Sequence, residues 1–178
     1  VIEALARPMQ GDGCRALPFG EDSRTALRDA CAEDREIWEI YSTSFGPEHF
    51  DVSIDKLAGS PLNRIFVLFD GDELAGMSSF LGIDETRQVV EIGATYYRPH
   101  LRGTGFNRRI KDMMLDRAFS SGIRRVEFRV DRRNQRSQAA MKKLGAVREG
   151  VLRADRITWN GHVRDTVLFA ILKDEWPV

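Results

Sequence analysis

The most chemically suggestive residues of the chain form a turn, Arg102-Gly103-Thr104-Gly105, that follows an apolar strand and opens a helix. Glycines in such a turn let the backbone approach a bulky anion, and the first free N–H groups of the helix point at it. Arg102, Arg108 and Arg109 add positive charge around the same turn. The chemistry fits a pyrophosphate. A glycine pair at a strand-to-helix junction also serves as nothing more than a tight connection. The specific nucleotide signatures do not fit: there is no GxxxxGK[ST], and Arg108 stands where the dinucleotide fingerprint needs its third glycine.

Two further groups could move protons. Asn134, Ser137 and Met141 share one face of a helix, at i, i+3 and i+7. Asn134 is a good N-cap and Ser137 a good early helix residue, a structural role compatible with a chemical one, because a cap also fixes where Ser137 points. Glu91 interrupts the apolar run of Val89, Val90 and Ile92. Burying a carboxylate there is costly unless it is paired or protonated, and such a site raises a carboxyl pKa towards neutrality, as a general base needs. The alternative is a strand-edge carboxylate paired with an arginine such as Arg87. Regular alternation would put residues 91, 93, 95 and 97 on one face of the strand and 92, 94 and 96 on the other. His49, His100 and His162 are scattered, Cys14 and Cys31 lie far apart, and no metal-ligand spacing exists.

The elements that must position these residues follow from periodicity. Cys14–Phe19 reads as a weak strand, and Ser23–Ala32 as a helix with Ala26, Leu27, Ala30 and Cys31 on one face. Helical stretches surround Ile37, Trp38 and Tyr41, and follow Asp51, whose side chain is expected to cap the second before Pro61. Ile65–Phe69, Leu74–Phe80 and Val89–Tyr97 read as strands, the first two joined by a hairpin at Asp70-Gly71, the third halted by Pro99. After the glycine turn, Phe106, Ile110, Met113, Met114 and Ala118 recur at helical spacing as far as Ser121-Gly122. Val126, Phe128 and Val130 then alternate with Arg125, Glu127 and Arg129, the period of a half-buried strand. Strand, helix and strand make a βαβ unit whose two strands are parallel. A helix over Asn134–Leu144 and a hairpin turning at Asn160-Gly161, with its second strand over Val163–Leu172, complete the chain. The expected fold is α/β (α+β): a mixed, mostly antiparallel sheet with helices packed on it, one domain over residues 1–178.

The stretch Tyr96-Tyr97-Arg98-Pro99-His100-Leu101-Arg102-Gly103-Thr104-Gly105-Phe106-Asn107 resembles the acyl-CoA-binding segment of GNAT acetyltransferases, in which a strand ending near a proline runs into [Q/R]xxGx[G/A]. The matching residues are Arg102, Gly105 and Asn107, the last replacing the usual small residue as in the RimJ/RimL-type branch. Arg125–Asp131, Asn134–Ser137, Leu144–Ala146, Glu149–Arg153 and Glu175-Trp176-Pro177 are similar to the same branch. The resemblance implies a GNAT fold with a central, splayed parallel strand pair and helices on both faces. It implies acetyl-CoA as co-substrate, held by Thr95, Tyr96 and Tyr97 through their backbone, by Arg102, Gly103, Thr104, Gly105, Phe106 and Asn107 at the pyrophosphate, and by Asn134 and Ser137. It also implies direct attack of a primary amine on the thioester, the amine being a protein N-terminus or a small molecule, and it is consistent with a homodimer. Many members carry a tyrosine at the position of Met141 that protonates the departing thiolate. Methionine has no proton to give, so Ser137 is the expected donor and Glu91 the expected base. Acceptor-lining residues are expected around Trp38, Tyr41 and Phe45.

The bulk numbers exclude other classes. Acidic and basic residues balance at 27 each, which removes a global pull towards nucleic acid or anionic membrane. Arg124, Arg125, Arg129, Arg132, Arg133 and Arg136 cluster, but a solvated face or the CoA 3′-phosphate explains them. The apolar stretch Val167–Leu172 is far short of the roughly 20 residues that span a bilayer. Val1–Gln10 lacks a signal-peptide pattern, and two free thiols suit a reducing compartment, so a cytoplasmic location is expected. The rival reading from another class is a non-catalytic acyl-CoA-binding regulatory module, which would keep the 102–107 turn without needing a proton donor at 137.

Overall fold

An eight-stranded sheet organises the computed structural model, which describes residues 1–177. Its strands are β1 (Met9–Gly11), β2 (Cys14–Pro18), β3 (Arg64–Asp70), β4 (Glu73–Asp84), β5 (Val89–Tyr97), β6 (Arg125–Asp131), β7 (Val147–Ile157) and β8 (Val163–Leu172), in the spatial order β1-β2-β3-β4-β5-β6-β8-β7. Every neighbouring pair is antiparallel except β5 and β6. The helices are α1 (Ile2–Leu5), α2 (Arg24–Cys31), α3 (Phe50–Ala58), α4 (Phe106–Ser120) and α5 (Gln135–Leu144), with short 3₁₀ turns between them.

Helices cover both faces and give the sheet two cores. On one face α4 and α5 pack through Phe106, Ile110, Met114, Met141 and Leu144 against Phe66, Phe80, Val90 and Phe128. On the other, α2, α3 and the 3₁₀ turn Ile37–Ile40 bring Leu27, Trp38 and Ile54 onto Ile65, Val67, Met77 and Tyr96. No helix among the described residues is long and apolar enough to cross a membrane.

Two local expectations are corrected. Ala26 lies at the rim of the buried stripe of α2 and is exposed, whereas Leu27, Ala30 and Cys31 are buried. Asp51 does not cap α3; His49 holds the N-cap position, and the Asp51 carboxylate instead receives Arg28 at 2.6 Å and Arg24 at 3.2 Å. Those two arginines tie α2 to α3.

Two irregularities of the central strands shape everything that follows. The parallel ladder between β5 and β6 has only three rungs, Val89↔Arg125, Val90↔Val126 and Glu91↔Glu127. Beyond them both strands continue unpaired with one another, so the sheet opens between them. At the same level β5 bulges: its register against β4 breaks between Met77 and Ser79, and Ala94 has φ +47°. An extra residue in a ladder reverses the facing of all that follow. Ile92 therefore joins the α4 core while Tyr96, expected on the same face, joins the α2–α3 core. Simple alternation along residues 91–97 is thus corrected at the bulge.

Candidate active site

The opened strands and the helices that flank them enclose a cleft of about 1140 Å³. One wall is the outer half of β5 with the glycine turn, the other is the outer half of β6 with the start of α5, and Tyr41 and Phe45 close the side towards α3. A crevice beyond the carboxyl ends of parallel strands is where α/β folds bind ligands.

The glycine turn is shaped for close approach. Gly103 and Gly105 have φ +77° and +88°, and a Cβ added at either would meet no protein atom within 4 Å, so the space above both is open. The N–H groups of Gly103, Gly105, Asn107 and Arg108 find no acceptor among the described residues. Such free donors at a helix N-terminus hold an anion well. Thr104 is exposed but bends back within the turn, its hydroxyl donating to the Leu101 carbonyl at 2.6 Å, and Phe106 is fully buried in the core, so neither lines the cleft as expected. Asn107 has a partner that the sequence did not reveal: its side-chain oxygen accepts the Tyr97 hydroxyl at 2.6 Å and ties β5 to α4.

The three arginines of the turn separate. Arg102 is a staple: it donates to the Tyr97 carbonyl at 3.0 Å and pairs with Asp34 at 2.5 Å. Arg109 turns to Asp70 and the Asp12 carbonyl, away from the cleft. Arg108 lines the cleft, though Asp112 receives it at 2.7 Å. Of the later cluster, Arg129 and Arg136 line the cleft. Arg125, Arg132 and Arg133 are matched by Glu149, Asp165 and Asp131.

Thr95 and Tyr97 line the cleft, whereas Tyr96, expected there too, is buried and does not line it; two carbonyls of this segment are already engaged. Tyr41 donates to the Thr95 carbonyl at 2.7 Å, and Arg102 holds that of Tyr97. The Tyr96 side chain turns away, stacked on Trp38 at 5.1 Å with its hydroxyl on the Ala30 carbonyl.

Glu91 ends the last rung of the parallel ladder with its side chain 21 % exposed at the cleft wall. Arg129, not Arg87, is its partner, at 3.6 Å; Arg87 lies near Asp84. Burial raises the Glu91 carboxyl above the usual carboxylate range, against the pull of Arg129, Arg156 and Arg164. Gly93 makes the room: a Cβ there would meet Glu91 Oε1 at 2.8 Å. Asn134 caps α5, its side chain accepting the Ser137 N–H at 3.0 Å, so its structural role is present. The Ser137 hydroxyl has no protein partner among the described residues and borders the cleft, with buried Met141 one turn on. Among the described residues no cluster of His, Cys, Asp or Glu is suited to a metal.

One residue of the site escaped the sequence reading. Lys111 is only 4 % exposed, lines the cleft, and donates from Nζ to Thr95 Oγ1 at 2.9 Å. Burial pulls its amine down to about 7, opposed by the charge of Glu91. The signal was available: position 111 lies four residues after Asn107 and three before Met114, inside the buried stripe of α4.

The profile of the Acetyltransferase (GNAT) family matches residues 34–146. The chain belongs to the GNAT acetyltransferases. Members of this family use acetyl-CoA as co-substrate, and the open glycine turn with its free N–H groups suits the pyrophosphate of that molecule. A protein from T. thermophilus assigned as an acetyltransferase is 32 % identical, covers 96 % of this chain and 91 % of its own, and superposes with a TM-score of 0.86. Two others share the fold at lower identity. The ribosomal-protein-S5-alanine acetyltransferase of Vibrio fischeri is 18 % identical, with coverages of 96 % and 99 % and a TM-score of 0.74. The spermidine N-acetyltransferase of Vibrio cholerae, in complex with CoA and spermine, is 19 % identical, with coverages of 93 % and 98 % and a TM-score of 0.75. No curated protein sequence matches the chain.

Proposed function

We propose that the protein, acting as one RimJ/RimL-like acetyltransferase domain, transfers an acetyl group from acetyl-CoA to a primary amine by direct attack in a ternary complex. The observation that carries this reading is the convergence of a carboxyl group poised for proton transfer, Glu91, with an unpartnered hydroxyl, Ser137, on one cleft that also holds the anion-binding turn. A non-catalytic acyl-CoA-binding module would need only the turn.

Acetyl-CoA supplies the activated acyl group. Residues 102–107 hold its pyrophosphate, and the backbone of β5 beyond the bulge lines the path of its pantetheine arm. A backbone N–H of residues 95–97 aimed at the acyl carbonyl would stabilise the oxyanion. Glu91, its carboxyl raised above the usual range by burial, takes a proton from the incoming ammonium. Ser137 faces the departing sulfur from the far wall. The acceptor enters past Tyr41 and Phe45. Structural neighbours that act on a protein N-terminal alanine and on spermidine frame the two acceptor classes to test, α-amino groups and polyamines.

The deciding experiment follows thiol release from acetyl-CoA with peptides bearing free N-termini, polyamines and amino acids. Release confined to one class, with the acetylated amine found by mass spectrometry, is the expected result. Binding of acetyl-CoA without release to any primary amine would favour the regulatory module.

A further inference from the structure

Lys111 is hard to explain as packing. Its helix position belongs to the buried stripe of α4, where methionine or leucine would fill the same space without desolvating a charge. Its Nζ has one protein acceptor, Thr95 Oγ1, which also hydrogen-bonds Ser78 Oγ at 2.7 Å. It sits 5.8 Å from the centre of the Phe128 ring, and no carboxylate lies within 4.0 Å of it among the described residues. An ammonium carries three donors. One is used by the protein, and the cleft is where the others can be used.

We propose that Lys111 is the proton donor to the thiolate that leaves acetyl-CoA, a role that rests on the acetyl-transfer reading above. The groups that face it are few. β4 contributes Ser78, β5 contributes Thr95 and Glu91, and β6 contributes Phe128 and the Arg129 that pairs with Glu91. Ser137 and Met141 of α5 line the same cleft, as do the phenol-bearing Tyr41 and Tyr97, and on α4 itself Arg108 is held by Asp112. With burial lowering the amine to about 7, both of its forms are populated near neutral pH, as an acid that must be recharged every turnover requires.

The protons balance. Glu91 takes the first proton of the acceptor ammonium, and the free amine attacks the acyl carbon, forming the C–N bond. The C–S bond then breaks, and the sulfur takes a proton from the Lys111 ammonium. The second proton shed by the acceptor nitrogen recharges Lys111, and Glu91 releases its own to solvent. Amide, CoA thiol and one solvent proton result. Ser137 then orients the sulfur or passes the proton on, without being its source.

The test uses the full chain with Lys111→Met and Lys111→Arg, the second keeping the charge but unable to release a proton. Acetyl-CoA affinity is measured by calorimetry and kcat across pH with a fixed acceptor. Both variants should bind acetyl-CoA within about threefold of wild type while kcat falls by about a hundredfold. The decline of kcat above about pH 7, which reports loss of the acid, should vanish with methionine. A methionine variant with wild-type kcat and pH profile overturns the role of Lys111 alone, whereas a wild type that binds no acetyl-CoA overturns the reading it rests on. Should the variants fold poorly, NMR titration of the Lys111 amine in CoA-bound wild type decides: titration near 7 supports the proposal, and titration near 10 overturns it.

Discussion

At the scale of single residues, the cleft holds side chains that break the pattern of their elements. Glu91 stood out in the sequence for that reason, as a carboxylate in an apolar strand, whereas Ser137 was picked out only through the resemblance, one turn before a methionine where a tyrosine is usual. Lys111 breaks its helix stripe just as clearly, yet a long amphipathic side chain is normally assumed to reach solvent, and only the structure shows its amine enclosed. Two variants separate the roles of the first pair. Ser137→Ala should lower kcat by roughly ten- to a hundredfold while acetyl-CoA affinity changes little, because the cofactor contacts of the turn are borne by backbone. Glu91 must be ionised to act as a base, so its contribution rises with pH through its raised pKa. In Glu91→Gln that acidic limb should disappear from the pH–kcat profile, and an unchanged limb would assign it to another group.

At the scale of elements, the βαβ unit was readable from the period-2 and period-3.6 patterns around a glycine turn, and its boundaries match β5, α4 and β6 closely. The bulge was not readable. It arises from a non-glycine residue, Ala94, in left-handed backbone, and from a register break against β4, and nothing in the strand's apolar pattern marks either. Gly76, across from it on β4, carries the cost of that geometry. A Cβ at Gly76 would lie 1.9 Å from the Tyr96 carbonyl oxygen, with φ already +152°. Gly76→Ala should therefore destabilise the fold by roughly 3 kcal/mol or more, read from the denaturant midpoint. Gly105→Val acts differently. An added Cβ meets no protein atom within 4 Å, so beyond the strain of φ +88° the effect falls on the anion, and acetyl-CoA affinity should drop at least tenfold in a protein that still melts cooperatively. Unchanged affinity would move the pyrophosphate off the turn.

For the whole molecule, balanced charge reflects local pairing more than neutrality. Of the arginines that could form a nucleic-acid patch, Arg125 and Arg132 are paired with Glu149 and Asp165 of other strands, pairings that depend on sheet order, and Arg133 is held locally by Asp131. The buried amine leaves a global signature. Its folded pKa of about 7 lies below the ordinary 10.5, so between those values the unfolded chain binds more protons and stability rises with pH. The full penalty, on the order of 5 kcal/mol, acts below pH 7. Denaturation at pH 7 and pH 9.5 should show wild type gaining stability and Lys111→Met lacking the gain.

The central claim is that the gap between β5 and β6 is where acyl thioester and amine meet. A crystal structure with CoA tests it most directly. The pyrophosphate should lie on the turn of residues 102–107, the pantetheine in the gap beyond Glu91, and the sulfur within reach of Ser137 and Lys111. CoA bound on another face, or with its sulfur outside the gap, would contradict the account.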